Sequence, residues 1–466
     1  MFAFGCIIYE VVTCRKLFAG DVAVWEYASR KEPLILMKWP DCVIGSRLHA
    51  LGRLTQELVH VEVSKRPAAV EVVRKLELMR GINRQENQSS DKSKDLEGKT
   101  HDNTDQVPSS ATADDQVALF TPLYAHSSGL GIGGYDVRDP NDRAFAFDYL
   151  HSGTPDHLVL YRPGTGTLWI LRNNNGDFQP AYREGCPGHG IGGYDLASPV
   201  DRVFAFDYEH RGKSDYLVLY RRGTGTVWIL QNDGGKFAPV YRDGHQGIGG
   251  FDLSGSEDRV FAFDFEHSGK LDHLVLYRPL AGTMVILTNN DGLFTSVYAG
   301  SFTGSRSQLS GDRQSICRAF AFDYSRTGNL DHILVYRRDT ADPRVSILQN
   351  KNGVFTSISS LDWRINQYHS PLGRILPYDY EGTGKADHLV LYWPGLRSGV
   401  IDILRSDGNT FTAVDSHESP GSGIGGYDLQ SPNDRIFPFP YLPKGRSSQL
   451  CLYRPGHGTF WILRRF

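Results

Sequence analysis

From residue 117 onward, apolar positions fall in short runs separated by glycine-rich polar turns, and the arrangement returns at a nearly fixed period. In the unit around Arg202 the runs are 203–206, 216–220, 226–230 and 237–241, separated by stretches such as Arg222-Gly223-Thr224-Gly225 and Asn232-Asp233-Gly234-Gly235. Runs this short, rich in aromatic and branched residues and bounded by turn formers, predict four β-strands per unit. Adjacent positions are apolar, as in Trp228-Ile229-Leu230, so both faces of each small sheet need a cover.

The arginine that opens each unit recurs at Arg143, Arg202, Arg259, Arg318, Arg374 and Arg435, at intervals of 59, 57, 59, 56 and 61 residues. Six four-stranded sheets packed face to face around an axis cover one another, which predicts a mainly β fold, a six-bladed β-propeller. The ends bear on closure. The stretch 119–124 matches the fourth strand of the next unit, 178–182, whereas the last unit stops after a third strand at 460–463. The entering segment therefore supplies the strand that the last blade lacks, and the closed ring has no open edge.

Composition narrows the function. The chain has 466 residues, 40% hydrophobic and 22% charged, with net charge −3, so no basic field suggests nucleic acid and no long apolar run suggests a membrane span. Cys6, Cys14, Cys42, Cys186, Cys317 and Cys451 occupy unrelated positions and read as free thiols in a reducing, cytoplasmic compartment. The apolar start 1–12 has no basic lead and carries Tyr9-Glu10, which argues against a secretion signal. Residues 83–116 are almost wholly polar and read as a disordered linker between an all-α segment, 1–82, and the propeller, 117–466. The expected state is a monomer.

The first segment carries Phe2-Ala3-Phe4-Gly5-Cys6-Ile7-Ile8-Tyr9-Glu10-Val11-Val12-Thr13, then Leu17-Phe18, then Ser64-Lys65-Arg66-Pro67-Ala68. In this order it resembles the end of the helical lobe of a eukaryotic protein kinase. The glycine-rich loop, strand lysine, catalytic loop and magnesium-binding motif of that family are not in this sequence. The expectation is therefore a kinase-like remnant without ATP binding or catalysis, or alternatively the tail of a kinase whose motifs lie upstream.

Three recurring elements carry candidate chemistry. The turn after the first strand has the form Asp264, Glu266, Ser268, Gly269, Asp272 in blade three and Asp379, Glu381, Thr383, Gly384, Asp387 in blade five. Oxygen side chains at this spacing, with glycine at the bend, suit calcium, although the same aspartates could instead cap the hairpin amides. The layout resembles FG-GAP or VCBS repeats of integrin-α-like propellers, and of propeller lectins. That resemblance implies calcium loops and glycan recognition.

The second element, Gly-Ile-Gly-Gly-Tyr-Asp, places Tyr135-Asp136, Tyr194-Asp195 and Tyr427-Asp428 ahead of blades one, two and six. The third is Thr-x-Trp-Ile-Leu, with Trp169, Trp228 and Trp461 in the same blades, replaced by Val285, Ser346 and Asp402 in blades three to five. An aromatic face beside a carboxylate suits a sugar, and glycines admit close approach; the alternative is packing at the blade junction. No catalytic set stands out, since the recurring histidines His157, His273, His332 and His388 each follow an aspartate rather than a nucleophile. The expected function is non-catalytic recognition of a glycan or a protein, or pure scaffolding.

Overall fold

The computed structural model describes residues 120–126, 129, 131–183, 189–279, 281–301, 316–338, 344–360, 373–395, 399–417, 423–442 and 449–465, together with Leu54, Thr55 and Leu58. The chain divides into two compact units, Met1–Ala113 and Asp114–Phe466. In the first unit Leu54, Thr55 and Leu58 are helical and buried. The remainder of the kinase-like segment and the 83–116 linker lie outside the described residues.

The described part of the second unit holds 24 strands in six four-stranded antiparallel sheets. The entering strand is β1 (Phe120–His126), and blade one is β2 (Arg143–Phe147), β3 (His157–Arg162), β4 (Thr167–Asn174) and β5 (Asp177–Arg183). The later blades open on β6 (Asp201–Phe206), β10 (Arg259–Phe263), β14 (Ile316–Phe322), β18 (Arg374–Tyr378) and β22 (Arg435–Phe439). Each blade is a meander in sequence order, and neighbouring blades approach most closely through these first strands, which are therefore innermost. This is the six-bladed propeller the periodicity predicts.

Closure is as expected. The last blade has the order β1, β24 (Thr459–Arg465), β23 (Gln449–Arg454), β22, with Phe120 opposite Arg465 and His126 opposite Phe460. The core is not central but divided among the junctions. Between blades one and two, Phe147, Val159, Leu168 and Ile170 of one sheet share a core with Leu217, Leu219 and Leu230 of the next and with Ile191 of the linking segment, all fully buried. Each such side chain contributes about 1.5–3 kcal/mol.

Side chains also stitch each blade to its predecessor. Asn173 donates to the Tyr441 carbonyl, Asn232 to Tyr149, Asn289 to Tyr208 and Asn350 to Phe265, while Ser406 and Arg465 do the same to Tyr324 and Tyr380. Phe120 is 2% exposed and packs in the core between blades five and six. We predict that Phe120→Ala costs about 3–5 kcal/mol in denaturant unfolding. A loss below about 1 kcal/mol would contradict ring closure through β1.

Candidate functional site at the blade junctions

The Gly-Ile-Gly-Gly-Tyr-Asp segment is a two-sided clamp between blades. Ile191 and Tyr194 exchange backbone hydrogen bonds of 2.9 Å, closing a tight turn. A side chain at Gly190 would place its Cβ 1.7 Å from the Tyr194 carbonyl oxygen, so only glycine fits. Leu196, just after the segment, is fully buried and held at φ +49°, a left-handed conformation costly for a branched residue. Its carbonyl accepts from the amides of Gly164 (2.8 Å) and Gly166 (3.3 Å) in the preceding blade's turn. Val137, Leu253 and Leu429 repeat this conformation and accept from Gly456, Gly223 and Gly395 in turn. These residues were not singled out in the sequence, because nothing in a buried leucine announces a positive φ.

The other side of the clamp is polar. Asp201, with no exposed surface, accepts from Tyr194 Oη (2.9 Å), from the Ser198 amide (2.9 Å) and from both Nε (2.8 Å) and Nη2 (2.9 Å) of Arg221. The same Arg221 Nη2 bonds Asp195, whose side chain is 55% exposed. Burial opposes ionisation of Asp195, but hydrogen bonds from the Ala197 amide and Arg221 outweigh it and hold the carboxyl below its ordinary value. Burial, with the charge of Asp201, pushes the Tyr194 phenol up, so it stays a neutral donor.

The unit recurs as Tyr135, Asp136, Asp142 and Arg162 before blade one, and as Tyr427, Asp428, Asp434 and Arg454 before blade six. Blade three has Phe251 in place of the tyrosine, with Asp252, Asp258 and Arg278. There Arg278 and the Ser254 amide lower the Asp252 carboxyl to about 2. Blade five has lost the pair together: Gly373 stands for the buried aspartate and Trp393 for the arginine, and the indole fills the vacated space 2.8 Å from where a Gly373 Cβ would lie.

The fold thus brings the predicted residues together within each blade. Tyr135 meets Trp169 edge-on at 5.7 Å, Tyr194 meets Trp228 at 5.7 Å and Tyr427 meets Trp461 at 5.7 Å. Arg183 lies 5.0 Å over Trp169 and Arg242 lies 4.9 Å over Trp228. The three tyrosines are buried, so the parts open to a ligand are the half-exposed aspartates, the guanidinium edges and the partly exposed indoles. Trp461 Nε1 is buried without a partner. At blade three, where Val285 replaces the tryptophan, a pocket of about 270 Å³ is lined by Glu257, Asp258, Arg278 and Pro279.

The loops at the opposite end are arranged differently. The Asp264 carboxylate accepts from the Ser268 (2.8 Å) and Gly269 (2.7 Å) amides, and Asp379 from Thr383 (3.0 Å) and Gly384 (2.8 Å). Asp272 bonds His273 (2.7 Å) and, across the junction, His210 (2.8 Å); Asp387 bonds His388 and Arg326. Glu266 is exposed, and Glu381 pairs with Arg326 at 3.2 Å. Among the described residues no three acidic, histidine or cysteine groups converge as cation ligands. As arranged, these carboxylates cap the hairpin and join blades, and the loops do not fit a calcium cage.

Fold and site together describe a closed propeller in which the junctions ahead of blades one, two, three and six present an aspartate, an arginine and an aromatic. No protein-family model and no curated protein sequence matches the chain. Among solved structures, the chain is similar to the Cps50 (Swd1) β-propeller domain of Myceliophteria thermophila, with TM-score 0.37, 10% identity, and 74% of this chain and 99% of that one covered. It is also similar to a protein from Lactobacillus plantarum (TM-score 0.36, 11% identity, 57% and 68% covered). A third is the periplasmic gluconolactonase PpgL of Pseudomonas aeruginosa (TM-score 0.33, 11% identity, 57% and 68% covered). Likenesses this distant carry nothing about activity, and the propeller assignment rests on the strand pairing itself. Among the described residues no helix is long and apolar enough to cross a membrane.

The clamp assigns unequal weight to its two carboxylates. Asp201→Ala leaves Arg221 and Tyr194 without their buried partner and is expected to cost about 3–5 kcal/mol in denaturant unfolding. Asp195→Ala, at an exposed pair, is expected to cost less than about 1 kcal/mol. Equal losses would contradict the division between a structural and an exposed carboxylate.

Proposed function

We propose that the propeller is a non-catalytic glycan-recognition module whose sites are the blade-junction units of blades one, two and six. The observation that carries this reading is the recurrence of a half-exposed carboxylate, pinned by a guanidinium, beside a partly exposed indole. A carboxylate accepts hydrogen bonds from sugar hydroxyls, and an indole packs against the apolar C–H face of a pyranose. Asp195 is fixed by Arg221 before any ligand arrives, so binding does not have to order it. Several equivalent weak sites on one rigid ring add avidity of two or more orders of magnitude toward a multivalent glycan.

In this reading residues 1–82, kinase-like by resemblance, carry no phosphotransfer of their own, since the nucleotide- and magnesium-positioning motifs are not in this sequence. The FG-GAP or VCBS resemblance supplies the lectin analogy rather than a metal requirement. A protein surface bound through the same junctions is the other outcome of the test.

The test is a glycan array probed with the full chain, followed by calorimetry on the best ligand. Asp195→Ala and Trp228→Ala are each expected to weaken binding severalfold, and the variants of all three blades together to abolish it. An array without any hit would sink the glycan reading. Calcium is expected to leave both binding and Tm unchanged; a calcium-dependent rise in Tm that Asp272→Ala removes would restore the cation-loop reading.

A further inference from the structure

The first strand of every blade carries an arginine that faces a tyrosine of the second, as Arg143 faces Tyr161 and Arg435 faces Tyr453. The first strands are innermost and approach each other all the way round. Equal register therefore sets Arg143, Arg202, Arg259, Arg318, Arg374 and Arg435 as one ring about the axis, all partly buried. Arg222, in the turn just after the second strand of blade two, adds its charge to that felt by Arg202.

Among the described residues the ring has one carboxylate partner. Glu257 pairs with Arg259 at 3.0 Å and lies 3.6 Å from Arg222. Arg202 and Arg374 donate to backbone carbonyls, Arg202 to Asp201 and Pro199 and Arg374 to Asp434 and Pro432. Among the described residues no carboxylate pairs with Arg143, Arg202, Arg318, Arg374 or Arg435. Nε of Arg143 and of Arg435 is buried without a hydrogen-bond partner. Burial, reinforced by the charges of Arg143 and Arg222, lowers Arg202 to about 10. Burial and the charges of Arg374, Arg259 and Arg435 likewise lower Arg318 to about 10. Guanidinium resists losing its proton, so the repulsion stays in the fold.

A packing role alone does not call for this. The Arg374 guanidinium lies 6.0 Å from the centre of the Tyr392 ring, a cation–π contact that uses this one charge without neutralising it, and methionine or leucine would fill a purely apolar space without the charge. Like charges gathered around one axis, with low-dielectric walls, focus a strong positive potential on a protein whose net charge is −3.

We propose that this arginine ring is a binding site for a compact polyanion, a small molecule bearing several phosphate or sulfate groups, which bridges guanidiniums of different blades. Guanidinium forks match such oxyanions in geometry, and a multivalent ligand satisfies several arginines at once where a single phosphate reaches one or two. Bridging blades across the axis, it would also strap the ring and raise its stability by mass action. The site is separate from the blade-junction units, which use Arg162, Arg221 and Arg454.

The test titrates the full chain with myo-inositol hexakisphosphate, tripolyphosphate and sucrose octasulfate, against inorganic phosphate at equal ionic strength, reading calorimetry and Tm. At least one polyanion should bind and raise Tm well beyond the inorganic control, and the three arms separate phosphate from sulfate preference. Arg318→Gln and Arg143→Gln should each weaken binding at least tenfold, while Tm in anion-free buffer stays equal or rises because repulsion is relieved. Arg211→Gln, an exposed arginine paired with Glu209 at the other end of blade two, should bind as the parent does. The proposal is overturned by no binding, by a shift matched by inorganic phosphate, or by binding that survives both ring variants. A fall in anion-free Tm with binding retained would mark the arginines as packing groups.

Discussion

Everything in this propeller depends on one constraint: each blade is apolar on both faces and is stable only with a neighbour on each side. The hydrophobic residues are therefore divided into six junction cores rather than one centre, and the ring has to close for the last core to exist. Pairing β1 with β24 meets this requirement with strands from opposite ends of the repeat region. The cost is the loop entropy of joining ends more than 300 residues apart, which grows only slowly with length. What closure gains is a complete core around Phe120 and the loss of two exposed sheet edges.

The polar chemistry follows from the same constraint. A junction that must lock two sheets at fixed spacing uses a buried aspartate, an arginine that grips it at both nitrogens and a strained carbonyl at Leu196 that ties in the neighbouring turn. Once Arg221 is fixed in this way, the second hydrogen of its Nη2 holds Asp195 at the surface. The candidate ligand group is thus a by-product of the lock. Repetition has a second consequence at the axis, where identical residues converge; an arginine harmless in a single sheet becomes part of a ring of like charge.

Strand positions, blade number and closure were legible from the sequence because each rests on local signals. Short apolar runs, glycine turns and the match of 119–124 to 178–182 need no knowledge of long-range contacts. The junction unit was only half legible. Tyr194, Asp195 and Trp228 are visible as repeated motifs, but Asp201 and Arg221 were missed, although their 20-residue spacing recurs in four blades and their joint replacement by Gly373 and Trp393 in blade five was a usable signal. The loop spacing at Asp264 to Asp272 leaves a cation and a cap both open in the sequence because it is shared by two solutions, oxygen ligands around an ion and carboxylates capping amides. Which one holds depends on where the oxygens point, and a sequence does not show that. The axial ring is visible in the sequence only as a recurring arginine, since its meaning comes from topology.

Hydrogen exchange followed by mass spectrometry on the β24 and β1 segments tests closure most directly. If the ring is closed through this pair, amides of 459–465 exchange as slowly as those of the equivalent strand 226–233, and those of 120–126 as slowly as the outer strands 177–183 and 236–243, in one cooperative opening. Fast exchange confined to 120–126 and one edge of β24, with the other blades protected, would contradict a closed six-bladed ring.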